Sequence, residues 1–367
     1  MDPIKKPRRR LWMAMTLGTC GVIALLAFVV VRRAHGAPEQ PDMIIDAVTR
    51  KAVIDAAVTQ LDQGYVFPDK AAQLHKLLES RLAGGDFDHL TSAEQFADSL
   101  TTTLQEASHD HHLEIRYMAQ AVPERSADGL PSAQEAAKER IEQQRFNYGM
   151  ASVGRLQGNI GYIDLHQLGR PDGASVRIAA AMSQLRDTQA LVVDLRHCSG
   201  GDPDTVMQFA SYLFNQPTHL NDVYWRDENR VEVRWTKPVT SGLAYGEQRQ
   251  VYLLTSADTF SGCEDLAYAL KNARRATLVG EVTGGGAHGG NPQRLGEHFM
   301  MFVSSGRPIS PITHTDWEGT GVLPDVPTSA GGALELAQRL ALKTLVVHET
   351  DPDWKMRLQD RLDDLGG

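Results

Sequence analysis

Ser261 is the residue of this chain that is best placed to act as a nucleophile. The apolar run 251–254 predicts a buried strand, and a short polar turn leads from it into a helix that begins at Ser261. Free main-chain N–H groups at a helix N-terminus could stabilise the negative charge on an attacked carbonyl oxygen. A simpler interpretation stays open, because Ser261 and Glu264 also form the pattern of a helix capping box.

Several other polar or glycine-rich stretches could complete a site around this serine. Gly200 and Gly201 follow an apolar strand and could expose main-chain N–H groups, although an ordinary tight turn has the same pattern. A second glycine-rich loop, 283–290, lacks the spacing and the lysine of a phosphate-binding loop. The histidine-rich stretch 108–113 fits a metal site, a solvated turn or a catalytic base. Glu318 precedes a glycine turn and by itself indicates only a structural carboxylate.

The apolar periodicity divides the chain into a helical region and an α/β region. Residues 44–108 show helical spacing, and 122–144 form a polar stretch with one exposed helix. Strands then alternate with helices, which predicts a largely parallel sheet flanked by helices. The predicted strands are 160–165, 190–195, 251–255 and 276–280; the predicted helices are 176–185, 205–214, 262–273 and 333–346; and 222–236 is a predicted hairpin.

The amino terminus has the pattern of a membrane segment. Five basic residues precede an uncharged run, 11–31, which as a helix would span roughly 30 Å, enough to cross a bilayer. An uncleaved signal anchor is the favoured interpretation; a cleaved signal peptide stays open because small residues follow at 34–36. The basic residues would keep the amino terminus in the cytoplasm and place the remainder in the periplasm or outside the cell.

These patterns predict four segments. They are a signal anchor or signal peptide at 1–37, an α-helical domain at 38–121, a connector at 122–149, and an α/β core with a C-terminal helix at 150–367.

Charge and cysteine content exclude several classes of protein. Beyond residue 33 the chain carries 30 basic and 45 acidic residues, a net charge of −15, with no basic stripe, which argues against nucleic-acid binding. Cys198 and Cys263 are the only cysteines outside the apolar run, too few for a disulfide framework or a zinc site. Whether they form a disulfide or two buried thiols stays open. We expect no metal and no cofactor, and the sequence does not indicate the oligomeric state.

Seven motifs, taken in order, resemble the C-terminal processing (tail-specific) serine peptidase superfamily. The resemblance is greatest to the branch related to the tricorn protease core and to interphotoreceptor retinoid-binding protein, and it covers about 48–326. It implies a core like those of crotonase and Clp-type peptidases, with a helical domain before it. The motifs are 65–69, 110–113, 158–162, 194–196 with 200–201, 259–261 with Glu264, 280–286 and 317–325.

The resemblance also implies roles for individual residues. Ser261 matches the nucleophile, His112 the general base and Glu318 the acidic member of the site. The oxyanion hole would consist of the main-chain N–H group of Gly262 and that of Gly200 or Gly201.

Two features depart from the pattern of many relatives. Gly286 stands where bacterial tail-specific proteases have a catalytic lysine, and Lys271 lies more than two helical turns beyond Ser261. A histidine base is therefore expected, with His288 as the alternative to His112. The chain also lacks room for a PDZ module before residue 158, so the helical domain or the cleft loops must recognise the substrate.

The sequence thus predicts a membrane-anchored serine peptidase that cleaves peptide or protein substrates through an acyl-enzyme. Its rate is expected to be highest above the pKa of the catalytic histidine, near or above neutrality. The alternative is a non-catalytic binding protein for hydrophobic ligands on the same scaffold. Crotonase-type acyl-CoA chemistry fits an exported chain poorly.

Overall fold

The computed structural model describes residues 40–124, 133–239 and 244–366. The predicted signal anchor or signal peptide, 1–37, lies outside these ranges. Within the described ranges, no helix combines the length and the apolar character needed to cross a bilayer.

The chain folds into nine helices and eleven strands within the described residues. The helices are α1 (Ala47–Gly64), α2 (Pro68–Ala83), α3 (Ala93–Ser108), α4 (Ala133–Arg145), α5 (Pro171–Gln184), α6 (Pro203–Ser211), α7 (Gly262–Asn272), α8 (Ala333–His348) and α9 (Pro352–Asp364). The strands are β1 (Glu114–Tyr117), β2 (Met150–Leu156), β3 (Ile160–Leu165), β4 (Ala190–Asp194), β5 (Asp222–Trp225), β6 (Arg230–Glu232), β7 (Gln250–Thr255), β8 (Thr277–Gly280), β9 (Gly289–Arg294), β10 (Phe299–Ile309) and β11 (Val326–Pro327).

A six-stranded sheet forms the centre of the α/β region, in the order β11-β8-β7-β4-β3-β2. Its strands run parallel except β2, which pairs antiparallel with β3 at the edge. Every residue of β4 is buried. Leu191 and Val193 pack with α5, α6 and α7, whereas Ala190 and Val192 pack with α8 and α9. Because alternate residues of a strand face opposite sides, helices cover both faces of this sheet.

A second, antiparallel sheet lies under the amino-terminal helices. It consists of β1, β10, β5 and β6 in that order, with β9 also paired to β10. The helices α1, α2 and α3 share one apolar core with β1 and with Phe299, Met301 and Val303 of β10. The prediction of a largely parallel sheet therefore holds for the six-stranded sheet but not for the second one. The β-structure as a whole is mixed.

The stretch between the two regions contains one exposed helix, as expected. No residue of α4 is buried. The apolar core of the helical region also contains residues of β10, a strand that comes much later in the chain. The segment boundaries at 121 and 149 accordingly stay predictions.

Candidate active site

The turn between β7 and α7 holds Ser261 in a conformation that few residues adopt. Its backbone angles are φ 52° and ψ −123°, in the positive-φ range. Such a conformation costs on the order of 1–3 kcal/mol and persists only where surrounding contacts impose it. The Ser261 N–H donates to Glu264 Oε2 at 2.9 Å, which fixes the turn at the start of α7.

Glu264 fastens this turn to the glycine-rich loop 283–290. Its buried carboxylate also accepts hydrogen bonds from Gly285 N at 2.7 Å, from Gly286 N at 2.8 Å and from the Thr283 hydroxyl. Burial raises the pKa of Glu264 to about 7, against the opposing effect of these donors. The Ser-x-x-Glu spacing indicated a cap on the helix; it did not indicate that the same carboxylate holds a second loop.

His112 lies next to the serine although 149 positions separate them in the chain. Its Nε2 is 3.1 Å from Ser261 Oγ. Helix α3 ends in a left-handed residue, His109, and the following turn is closed by the hydrogen bond from His112 N to Asp110 Oδ1 at 3.0 Å. The imidazole packs against the rings of Phe260 and Phe302, with centroid distances of 4.7 and 5.6 Å.

The environment of His112 favours the neutral imidazole. Burial lowers its pKa to about 4, the neighbouring His288 and His111 act in the same direction, and Asp110 opposes them. A neutral ring with Nε2 facing a hydroxyl can accept the hydroxyl proton. The position and the lowered pKa of His112 are thus compatible with a role as base for Ser261 at neutral pH.

Two main-chain N–H groups beside Ser261 could receive an oxyanion. Among the described residues, neither Gly262 N–H nor Gly201 N–H has a hydrogen-bond acceptor. The two glycines are close together, because a Cβ placed on Gly262 would lie 3.1 Å from Gly201 N. Gly200 N–H instead donates to Cys263 Sγ at 3.2 Å. Of the two alternatives for the second donor, Gly201 fits the geometry better than Gly200.

His288, the alternative base, is directed to carboxylates. Its Nδ1 bonds to Asp110 Oδ2 at 2.9 Å, and its ring packs edge-on against Phe67. The imidazole within hydrogen-bond distance of Ser261 Oγ is that of His112. The structure thus places the His112 imidazole against Ser261 Oγ, whereas the His288 imidazole is hydrogen-bonded to Asp110.

Glu318 holds the main chain on both sides of the histidines. It accepts hydrogen bonds from Ala287 N at 2.6 Å, from His288 N at 2.9 Å and from His111 N at 3.1 Å. Burial and the nearby charge of Asp110 raise the pKa of Glu318 to about 7. Its contacts fix the positions of the loops that carry the histidines.

Two family models match the chain over most of the described residues. The model for peptidase family S41 matches 159–328, and the model for the N-terminal domain of peptidase S41 in eukaryotic IRBP matches 46–146. This chain belongs to peptidase family S41. The second match covers the helical region of this S41 chain, and the first covers the residues from β3 to β11.

Known relatives of this S41 chain include a chloroplast enzyme. Carboxyl-terminal-processing peptidase 2 of Arabidopsis thaliana is 30% identical over 168 residues, which are 46% of this chain and 32% of the relative. The matched part is thus about a third of that protein's length.

Solved structures share the fold at low sequence identity. A lipoprotein from Streptococcus agalactiae has a TM-score of 0.52 at 13% identity, covering 84% of this chain and 99% of that one. A putative peptidase from Parabacteroides merdae has a TM-score of 0.51 at 15% identity, covering 76% and 90%.

One group of side chains among the described residues could supply three metal ligands. Ligand atoms of Asp110, His112 and Glu318 all lie within 4.8 Å of one another. Asp110 is already bonded to His288, and Glu318 to three N–H groups. The expectation that the site works without a metal stays a prediction.

A disulfide joins the two halves of the candidate oxyanion hole. Cys198 and Cys263 are bonded, which answers the question that the sequence left open. Cys198 lies two residues before Gly200, and Cys263 lies two residues after Ser261. The bond therefore ties the loop after β4 to the nucleophile helix α7.

We expect the double substitution Cys198→Ala and Cys263→Ala to lower the free energy of unfolding by about 4 kcal/mol, because the bond closes a long loop of the unfolded chain. Urea denaturation with and without a thiol reductant measures this effect. Reductant should destabilise the wild type and leave the double variant unchanged. Equal stability of the wild type and the double variant in the absence of reductant would contradict the prediction.

Proposed function

We propose that this chain is a serine peptidase that hydrolyses peptide bonds through an acyl-enzyme, with Ser261 as nucleophile and His112 as base. The observation that carries the proposal is the 3.1 Å contact between His112 Nε2 and Ser261 Oγ. Membership of the S41 family supports the same reaction class.

The reaction follows from the positions of these atoms. Ser261 Oγ attacks the carbonyl carbon of the scissile bond while its proton passes to His112 Nε2. The carbonyl oxygen becomes an oxyanion that accepts hydrogen bonds from Gly262 N–H and Gly201 N–H. His112 then gives its proton to the leaving amine, and the acyl group stays on Ser261. A water molecule next loses a proton to His112 and attacks the ester carbonyl. As the ester bond breaks, His112 gives that proton to Ser261 Oγ, which restores the serine and releases the new carboxyl terminus.

Labelling with a fluorophosphonate tests the assignment of the nucleophile. The wild type should form one adduct at Ser261, and Ser261→Ala should form none. Ser152, which is exposed on the edge strand β2, provides the control, and Ser152→Ala should label like the wild type. Equal labelling of wild type and Ser261→Ala, or peptide hydrolysis by a wild type that never labels, would contradict the proposal.

The substrate is proposed to be the carboxyl-terminal part of a protein. The support is the name of the chloroplast relative, a carboxyl-terminal-processing peptidase. Mass spectrometry of products from one protein, offered with a free or an amidated carboxyl terminus, tests this directly. Cleavage confined to internal sites far from either terminus would contradict it.

We further propose that residues 11–31 anchor the enzyme in a membrane, with the catalytic part in the periplasm or outside the cell. The uncharged run and the basic residues before it support this. The full chain should stay with membranes in an alkaline carbonate wash, whereas a chain that starts at residue 38 should be released. Release of both would contradict anchoring.

A further inference from the structure

Asp110 is completely buried and is hydrogen-bonded to both His112 and His288. Its Oδ1 accepts the main-chain N–H of His112 at 3.0 Å, and its Oδ2 bonds to Nδ1 of His288 at 2.9 Å. Each carboxylate oxygen is thus engaged by one histidine. A buried carboxylate is stable only when such partners compensate its charge.

The surroundings of His288 are those of a cation. Besides Asp110, the Glu318 carboxylate lies 3.5 Å from its Nδ1, and the Asp316 carboxylate lies 3.9 Å from its Nε2. These carboxylates raise the pKa of His288 although burial acts in the opposite direction. The hydroxyl of Tyr65 is a further titratable group that faces Asp110 and Glu318. His112 also lies near Asp110. The nearby charges therefore favour an imidazolium at His288, paired with an ionised Asp110.

His112 is oriented in a different way from the base of a Ser-His-Asp triad. In such a triad a carboxylate accepts the Nδ1 proton of the histidine. Within the described part of the chain, Nδ1 of His112 is buried and has no hydrogen-bond partner. The ring direction instead depends on the main-chain bond to Asp110 and on packing against Phe260 and Phe302.

The negative charge of Asp110 also stabilises the cation that the proposed reaction forms on His112. When His112 takes the proton of Ser261, a cation forms in a buried site that disfavours it. Asp110 favours that cation, whereas His288 and His111 oppose it. An Asp110 that took up a proton would lose this effect and weaken its hold on the main chain.

We propose that Asp110 and His288 form a buried positioning pair. The His288 imidazolium keeps Asp110 ionised and fixes its position. Asp110 in turn holds the main chain of His112 so that Nε2 faces Ser261. Its negative charge also stabilises the His112 imidazolium that forms during the reaction. The inference rests on the proposed peptidase function and adds two residues that act through His112 without touching the substrate.

Three substitutions separate charge from hydrogen bonding. Asp110→Asn keeps an oxygen for the His112 N–H and removes the charge. His288→Asn can keep a donor near the position of Nδ1, whereas His288→Leu removes both donor and charge. We expect Asp110→Asn and His288→Leu to lower kcat about 100-fold with little change in KM, because a misdirected base has an effect of this size. His288→Asn should recover at least about tenfold over His288→Leu.

His75 supplies a matched control. It is a half-buried histidine that also lies between two carboxylates, with Asp62 at 2.8 Å and Glu79 at 3.2 Å, on the helices α1 and α2. His75→Leu should leave kcat and KM unchanged. A loss of kcat in His75→Leu equal to that in His288→Leu would show a general effect on the fold and would overturn the proposal.

Nitrogen-15 NMR of the histidine rings tests the pair in the wild-type protein, without relying on the folding of a variant. At pH 7 His288 should be protonated on both ring nitrogens and His112 should be neutral, with the His288 resonances assigned in the wild type from through-space contacts of its ring with Phe67. A neutral His288 at pH 7 overturns the proposal. Wild-type kcat and pH profile in Asp110→Asn also overturn it, while Ser261→Ala and its labelling continue to test the peptidase function independently.

Discussion

Replacing His112 by alanine is expected to lower kcat on the order of 10⁶-fold, because Ser261 then has no base to take its proton. The two side chains act as one unit, so His112→Ala and Ser261→Ala should have similar effects, and the double variant should be little worse than either. Single-turnover hydrolysis of a peptide, together with the rate of fluorophosphonate labelling, measures the loss.

A neighbouring histidine gives the control for this experiment. His109 is exposed and ends helix α3 in a left-handed conformation, with φ 58°. Asparagine tolerates that conformation, so His109→Asn should keep the turn and the wild-type rate. If His112→Ala hydrolysed peptides with a kcat within tenfold of the wild type, His112 would not be the base.

The pKa of His112 also changes the pH dependence expected from the sequence. A histidine base with an ordinary pKa would lose activity as the pH falls through about 6.5. Burial lowers the pKa of His112 to about 4, so the ring takes up a proton, and stops acting as a base, only near that lower pH. A decline of the rate as the pH falls through about 7 would then report Glu318 or Glu264, because burial raises the pKa of each to about 7. The decline should disappear in Glu318→Gln if Glu318 causes it, and in Glu264→Gln if Glu264 does.

The sequence predicted the elements whose hydrophobic pattern is local. The predicted strand 190–195 corresponds to Ala190–Asp194, and the predicted helix 262–273 corresponds to Gly262–Asn272. Both could be predicted because an apolar run and a 3.6-residue hydrophobic period are recognisable within a short stretch of sequence. The strand β10 was missed. Nearly all of its residues are buried, on a sheet that covers the amino-terminal helices, and its polar Ser304 and Ser305 break any alternation.

The site was predicted in its residue types better than in its contacts. The motif order placed Ser261 and His112 in one site, which the structure brings within 3.1 Å. No sequence pattern indicated that Glu264 also binds the loop 283–290, or that Asp110 pairs with His288, because both contacts depend on distant segments meeting in space. The choice between Gly200 and Gly201 likewise needed the position of Cys263 Sγ.

The substitution Gly262→Ala is expected to lower kcat about 10²- to 10³-fold, the usual cost of losing one oxyanion-hole donor. Its new Cβ would lie 3.0 Å from Gly201 O and 3.1 Å from Gly201 N, closer than backbone atoms normally allow. The disulfide limits how far the 200–201 loop can move away, so the strain falls on the two N–H groups. KM should change little, because the oxyanion exists only after attack on the carbonyl.

The fold should tolerate this change, which makes the kinetic loss interpretable. Gly262 is the first residue of α7 and does not have a positive φ, and alanine is a better helix former than glycine. Gly296→Ala is the matched control, since a Cβ there would meet nothing within 4 Å, and it should keep the wild-type kcat. If Gly262→Ala also kept that kcat while retaining its urea midpoint, the oxyanion would have to lie elsewhere, since the altered glycine pair could not then be its binding site.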